Sequence, residues 1–407
     1  MDASPTAPTL RSLVPSVFLP TVVYEIGNGA IAPIIALTAL AVGASAAEAG
    51  FTLAVLGVGQ VLGDVPAAAL AERIGDRRAM VVAGGLAIVA LLACRLSGSL
   101  PVLAGGLLVL GMANSVYYLA RQAYMTDVVP VGLRARAMST LGGSHRIGLF
   151  IGPFVGAGAI ALFGMRSAYV VAMTTAAIAA VLLLAFPDVE AADERQRAVR
   201  GGAGSLEMLV RHRRLFLTLG LAVLAVAAVR AARQTVLPLW AAHIGLGAGT
   251  TSLVFGIAGA LDVAMFYPSG HIMDRRGRLS IALPSMVVLG GSMMLLPLTG
   301  TALTLALVAM AMSLGNGLGS GIMMTLGADT APVDGRVRYL SVWRAFSDSG
   351  NAAGPVVMSI VATVATLAAG IVSVGAVGLL AAAGLAAWVP KHSRLAWPRD
   401  VAADTGG

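Results

Sequence analysis

The feature that most constrains this chain is a recurrence. Apolar runs of about 20 residues, the helical length that crosses a hydrocarbon layer about 30 Å thick, follow one another with short charged or Pro/Gly-rich breaks between them. Twelve are read, at 14–42, 51–70, 79–97, 101–125, 138–163, 167–186, 215–242, 250–272, 279–298, 302–327, 339–365 and 366–389. They are continuously apolar, not alternating, so they predict helices and not barrel strands. A helix satisfies its own backbone donors and acceptors where no water can. The expected fold is an all-α membrane protein of twelve transmembrane helices. Composition agrees: 58% hydrophobic and 11% charged residues in 407 leave too little polar surface to cover a water-soluble globule.

The breaks orient the runs. With the N-terminus in the cytoplasm, 20 of the 27 basic residues fall on the cytoplasmic side, and only Arg95 and Arg166 fall on the outer side. Positive loops resist translocation, so both termini are expected inside. The basic residues are scattered through short connections and form no single face, so the net charge of +8 reflects topology and not nucleic-acid binding. The first run is too long for a cleaved signal core and is read as a retained helix. Arg outnumbers Lys 26 to 1 beside heavy use of Ala and Gly, which points to a GC-rich bacterial genome and a bacterial inner membrane. Cys94 is alone, which excludes an internal disulfide and a cysteine-cluster metal site, and no metal site is expected. No stretch reads G-x-x-x-x-G-K-[ST], and Lys391 is the one lysine. Neither ATP, a cofactor nor enzymatic chemistry is expected.

An internal repeat organises the chain. Shifted by 202 positions, Gly57 meets Gly259, Pro66 meets Pro268, Glu72 meets Asp274, Arg73 meets Arg275 and Gly75 meets Gly277. At the same offset Asp127 meets Asp329, Pro130 meets Pro332, Arg134 meets Arg336, Arg136 meets Arg338, Gly148 meets Gly350, Gly152 meets Gly354 and Pro153 meets Pro355. The matched residues are mostly the rare charged ones and Pro, so the offset marks a duplication. The expected plan is a cytoplasmic N-terminus (1–13), a six-helix bundle (14–187), a charged cytoplasmic linker with a short interfacial helix (188–214), a second six-helix bundle (215–389) and a cytoplasmic tail (390–407). A parallel repeat of six helices is the plan of major facilitator transporters.

Two motifs carry a resemblance to that family. The segment Gly270-His-Ile-Met-Asp274-Arg275-Arg276-Gly277-Arg278 resembles its loop signature G-x-x-x-D-R-x-G-R. The first-half copy, Ala68 to Arg78, has Ala for the first Gly and Glu72 for Asp, keeping size class and charge, with Arg73 and Gly75 in place. The resemblance implies that these loops hold the halves together on the cytoplasmic side in the outward-facing state. Glu72 and Asp274 would then pair with Arg134 or Arg336 and with helix ends, beside the repeated loop of Asp127. The second motif, Gly148-Leu-Phe-Ile-Gly152-Pro153-Phe-Val-Gly156, is similar to the fifth-helix signature of drug/proton antiporters. Glycines four apart give a smooth stripe for close helix approach, and Pro153 bends the helix. Leu107 stands where those antiporters usually carry an Arg, and Arg121 is a displaced substitute at best.

Ionisable side chains at bilayer depth are costly unless paired or wet, so each is a functional candidate. Glu25 lies near the middle of the first run, with Asn28 one turn on along the same face. A buried glutamate there could load and unload a proton as a pathway opens to either side, or serve as a hydrogen-bonded link between helices. Asp64, with Gln60 one turn before it, and Asp262 are candidates for the same role or for ion pairs with Arg121, Arg146, Arg230 or Arg233. Asn114, Tyr117 and Arg121 share helical spacing, as do Arg230, Arg233 and Gln234. Both stripes could bind an anionic substrate group or neutralise the carboxylates. Arg344 and Asp348 are spaced to satisfy each other, although Asp348 also occupies the repeat position of Arg146. His145 could titrate near neutrality, but a lone helical histidine is more often structural.

The expectation is a monomeric secondary transporter in a lipid bilayer, moving a small molecule by alternating access with protons as the coupling ion. Export of a drug-like or metabolite substrate is the first reading, on the fifth-helix signature. The alternative is a proton-linked importer or facilitator of a small polar or anionic solute. A receptor or scaffold is disfavoured because long soluble segments are absent.

Overall fold

A computed structural model of the chain describes residues 13–129, 134–186, 205–319, 321–332, 336–393 and 396. Pro130, residues 188–204 of the expected linker and residues 397–407 of the tail lie outside them. The described chain is helical, with no strand. Its elements are α1 (Leu19–Ala41, led by a π-helical turn Val14–Phe18), α2 (Ala46–Ile74), α3 (Asp76–Leu96), α4 (Leu100–Val128), α5 (Arg134–Phe163), α6 (Ser167–Ala185), α7 (Ser205–Arg211) and α8 (Arg213–Leu215). These are followed by α9 (Leu221–His243), α10 (Ala248–Arg276), α11 (Leu279–Leu295), α12 (Ala302–Leu318), α13 (Ile322–Thr330), α14 (Arg336–Val364) and α15 (Leu367–His392).

The chain divides into two compact units, residues 1–44 with 55–201 and residues 45–54 with 202–407. Each is built on the same plan. In the first, α1 packs against α5 and α6, and α3 against α4 and α6. In the second, α9 packs against α14 and α15, and α11 against α12 and α15. The breaks repeat as well. Gly43 and Gly75 end α1 and α2 at φ of 93° and 88°, and Gly245 and Gly277 end α9 and α10 at 78° and 84°. Only glycine takes such a backbone without a Cβ penalty, so the sequence offset and the conformational requirement coincide.

The packing seam of each unit is a glycine stripe. A Cβ built on Gly152 would lie 2.5 Å from the Ile26 carbonyl oxygen and 2.6 Å from Gly29 Cα, and one on Gly156 would lie 3.1 Å from the Ala30 carbonyl oxygen. Gly350 and Gly354 of α14 stand in the same relation to the carbonyls of Leu224 and Ala228 on α9. Backbones brought this close maximise dispersion contact where hydrophobic attraction between helices is absent. The outward faces carry large apolar side chains in the open, among them Leu184, Leu303 and Leu380. A face of that kind would aggregate in water and suits hydrocarbon.

Two details differ from expectation. Eleven described helical stretches are long and apolar enough to cross a bilayer. The remaining long helix, α14, forms in full, but Arg336, Arg338, Arg344 and Asp348 make its first half polar. The tenth expected span, 302–327, is broken: α12 stops at Leu318 and α13 starts at Ile322, with Gly321 at φ 80°. Its counterpart α4 runs unbroken, because the Gly319–Gly321 region replaces the Tyr117-Tyr118-Leu119 of the first half.

Candidate functional site

In the first unit, α1, α4 and α5 bring polar side chains around Glu25, which has no exposed surface. The glycine stripe is the reason they meet. Gly148 sits so close to α1 that an added Cβ would come 2.5 Å from Glu25 Cβ. His145, three residues earlier on the same face of α5, then reaches the carboxylate, with Nδ1 2.7 Å from Oε1. The two atoms are in close contact without an aligned hydrogen bond at Nδ1.

Arg121 Nη1 approaches the same oxygen at 3.5 Å. On the other oxygen, Oε2 accepts from Asn28 Nδ2 at 3.1 Å and from the Tyr118 hydroxyl at 3.3 Å. Asn28 Nδ2 also donates to the Tyr118 hydroxyl oxygen at 3.2 Å. An isolated buried carboxylate would be prohibitively costly, and these four groups are what makes its burial tolerable.

An aromatic wall backs the cluster. Tyr24 stacks on Tyr117 with ring centroids 4.0 Å apart, and its hydroxyl donates to Asn114 Oδ1 at 2.7 Å. The Arg121 guanidinium lies 5.0 Å from the centroid of the Tyr118 ring and 5.9 Å from that of Tyr117, within cation–π range. Its Nε is buried without a hydrogen-bond partner.

The second unit holds a different cluster on α9, α10 and α12. Arg230 donates from Nε to Asn316 Oδ1 at 2.8 Å, from Nη1 to the Gly319 carbonyl at 3.0 Å and from Nη2 to the Asn316 carbonyl at 3.2 Å. It thereby satisfies acceptors left open where α12 breaks. Arg233 donates from Nη2 to Asp262 Oδ2 at 3.2 Å and from Nη1 to Ser313 Oγ at 2.6 Å. Asn316 Nδ2 donates to the same Asp262 oxygen at 2.6 Å. Asn114 and Asn316 are separated by the repeat offset of 202, so each unit uses one asparagine of its fourth spanning segment to tie a side chain of its first.

The remaining candidates are Asp64, Gln234, Arg146 and Asp348. Asp64 is exposed and accepts from the Ser115 hydroxyl. Gln234 is exposed and Arg146 half-buried. Asp348 takes the local option: its carboxylate lies 3.5 Å from Arg344 Nε, with the side chains 38% and 63% exposed. The side chains of Glu72, Asp127, Arg134, Gly270, Asp274 and Arg336 lie outside the described part, and so do the loop pairings expected of them. Arg73 and Arg275 are exposed. A loop tie is seen elsewhere: Arg278 of the signature grips Asp329 at the end of α13, Nε to Oδ2 at 2.8 Å and Nη2 to Oδ1 at 3.3 Å.

Sequence reasoning had no signal for Tyr24 and Tyr118. It set His145 aside as a lone histidine. Asn316 was findable by carrying the repeat offset onto Asn114.

A duplicated bundle of long apolar helices with carboxylates and arginines buried inside each half defines a multi-pass membrane protein of transporter type. The chain belongs to the Major Facilitator Superfamily, whose family model matches residues 17–355. It is similar in structure to a POT family transporter crystallised with a thioalcohol-conjugated peptide (TM-score 0.75, 13% identity, 94% of this chain and 96% of that one). It is also similar to a D-xylose–proton symporter (0.70, 15%, 95% and 98%) and to the nucleoside transporter NupG (0.70, 12%, 90% and 94%). No curated protein matches it in sequence. At these identities the likeness is one of fold.

Proposed function

We propose that the protein is a proton-coupled secondary transporter of the cell membrane, working by alternating access with both termini in the cytoplasm, and that Glu25 is its proton-carrying carboxylate. The observation that carries this reading is the environment of Glu25. It is fully buried, yet it is held by two cationic or protonatable groups, Arg121 and His145, and two neutral donors. Arg121 could hold the ionised form and relax toward the Tyr117 and Tyr118 rings when the carboxylate is neutral, giving two arrangements of similar energy.

For direction, the fifth-helix glycine signature favours export of a drug-like or metabolite substrate. The same residues also pack α5 on α1, and equivalents in α14 pack on α9, so the motif has a structural use in both halves. A second reading, uptake or facilitated passage of a small anionic solute, is favoured by the α9 cluster, where two guanidinium groups stand together, Arg230 on Asn316 and Arg233 on Asp262. The test is a screen of chemically diverse solutes in proteoliposomes holding the purified protein, with a pH gradient of either sign. Export by antiport predicts accumulation when the lumen is acidic, and symport predicts accumulation when the outside is acidic. No response to either gradient with any transported solute would overturn proton coupling.

A further inference from the structure

We infer that His145 is the proton-relay residue for Glu25, the group through which the buried carboxylate exchanges protons with water. This rests on the reading of Glu25 as the proton site and adds the route to it.

Glu25 has no surface of its own, so a proton must arrive through one of its neighbours. Those that face it are Arg121 and Tyr118 from α4, Asn28 from α1 and His145 from α5. A guanidinium does not act as an acid in proteins. The Asn28 amide does not exchange protons as an acid or base. The Tyr118 hydroxyl donates to Oε2, and an ordinary phenol titrates far above neutrality. Imidazole is the side chain whose ordinary titration falls near neutrality, and its two nitrogens let it take a proton on one side and release one on the other.

The placement of His145 matches that use. Its Nδ1 is closed to solvent and lies 2.7 Å from Glu25 Oε1, while a third of the side chain is exposed. The exposed part of the side chain is therefore apart from Nδ1, and the relay places Nε2 on it. Tyr118 meets the ring edge to face at 5.8 Å between centroids, which holds the ring plane without occupying either nitrogen. The step balances as follows. Water delivers a proton to Nε2, a tilt of the ring brings Nδ1–H into line with Oε1, the Nδ1–H bond breaks as the Oε1–H bond forms, and a neutral ring remains with its proton on Nε2. Discharge runs the same step backward: the Oε1–H bond breaks as the Nδ1–H bond re-forms, and Nε2 returns its proton to water, which restores the starting ring.

The test needs no substrate. The full chain in lipid is given a proton pulse by photolysis of a caged acid, and the carbonyl stretch of the protonated carboxyl is followed by time-resolved infrared. Glu25→Gln should abolish the band, and its persistence would remove Glu25 as the proton site. With that band assigned, His145→Gln should still form it at low pH but at least about tenfold more slowly. Added imidazole should restore the rate, and deuterium oxide should slow the wild type. His145→Asn, checked for intact folding by thermal unfolding, should behave alike. A band that is lost in Glu25→Gln yet rises at the wild-type rate in both histidine variants would overturn the relay and leave the Glu25 assignment standing.

Discussion

Gly148 of α5 and Glu25 of α1 meet backbone to side chain, with no room for a methyl group between them: a Cβ on the glycine would stand 2.5 Å from both the Glu25 Cβ and the Val22 carbonyl oxygen. The contact that packs the helices is thus also the one that places the buried carboxylate. Gly148→Ala should force α5 away from α1 and cost about 1–3 kcal/mol, as overpacking does. Thermal unfolding in detergent should show the loss. Gly158→Ala, on the same helix with nothing within 4 Å of its added Cβ, should leave the midpoint unchanged.

The Arg233–Asp262 pair is largely buried, with side chains 12% and 16% exposed. Removing either partner breaks a charge-assisted hydrogen bond in a largely buried site, so Arg233→Met or Asp262→Asn alone should destabilise by about 1.5–3 kcal/mol, and the double variant should cost less than the sum of the two. A double-mutant cycle on unfolding free energy checks this. Strict additivity would show that the two side chains do not depend on each other.

Arg344 and Asp348 form an exposed pair one turn apart, of a kind worth about 0.5 kcal/mol or less. Asp348→Asn should leave both unfolding and transport near wild type. A large transport defect would restore Asp348 to the polar pathway.

Arg278 holds Asp329 with two hydrogen bonds, and the Ser393 hydroxyl reaches the same carboxylate at 3.5 Å. Charge-assisted bonds of this kind contribute about 1.5–3 kcal/mol. Arg278→Ala should lower amide protection along α13 by roughly tenfold or more in hydrogen exchange, with α11 far less affected.

The fold was legible in the sequence because the solvent imposes it. Twenty apolar residues have few structures open to them in lipid, and the offset linking Gly75 to Gly277 and Pro153 to Pro355 exposed the duplication. Glu25 and Asn28 could be paired from helical spacing alone, and Asn28 Nδ2 does lie 3.1 Å from the carboxylate. Contacts between helices were not legible. Spacing within α4 and α5 cannot say that Tyr118 and His145 reach the same carboxylate, since that depends on the approach distance set by Gly148. The break after Leu318 was also hidden: Gly-Ser-Gly in an apolar run reads equally as close packing, and only the left-handed Gly321 shows that the helix stops.

The central claim is that Glu25 carries the coupled proton, and the Glu25→Gln variant in proteoliposomes tests it most directly. With a solute from the screen, the account predicts that exchange of labelled for unlabelled solute continues while accumulation driven by a pH gradient is lost. Accumulation at the wild-type level in that variant would contradict it.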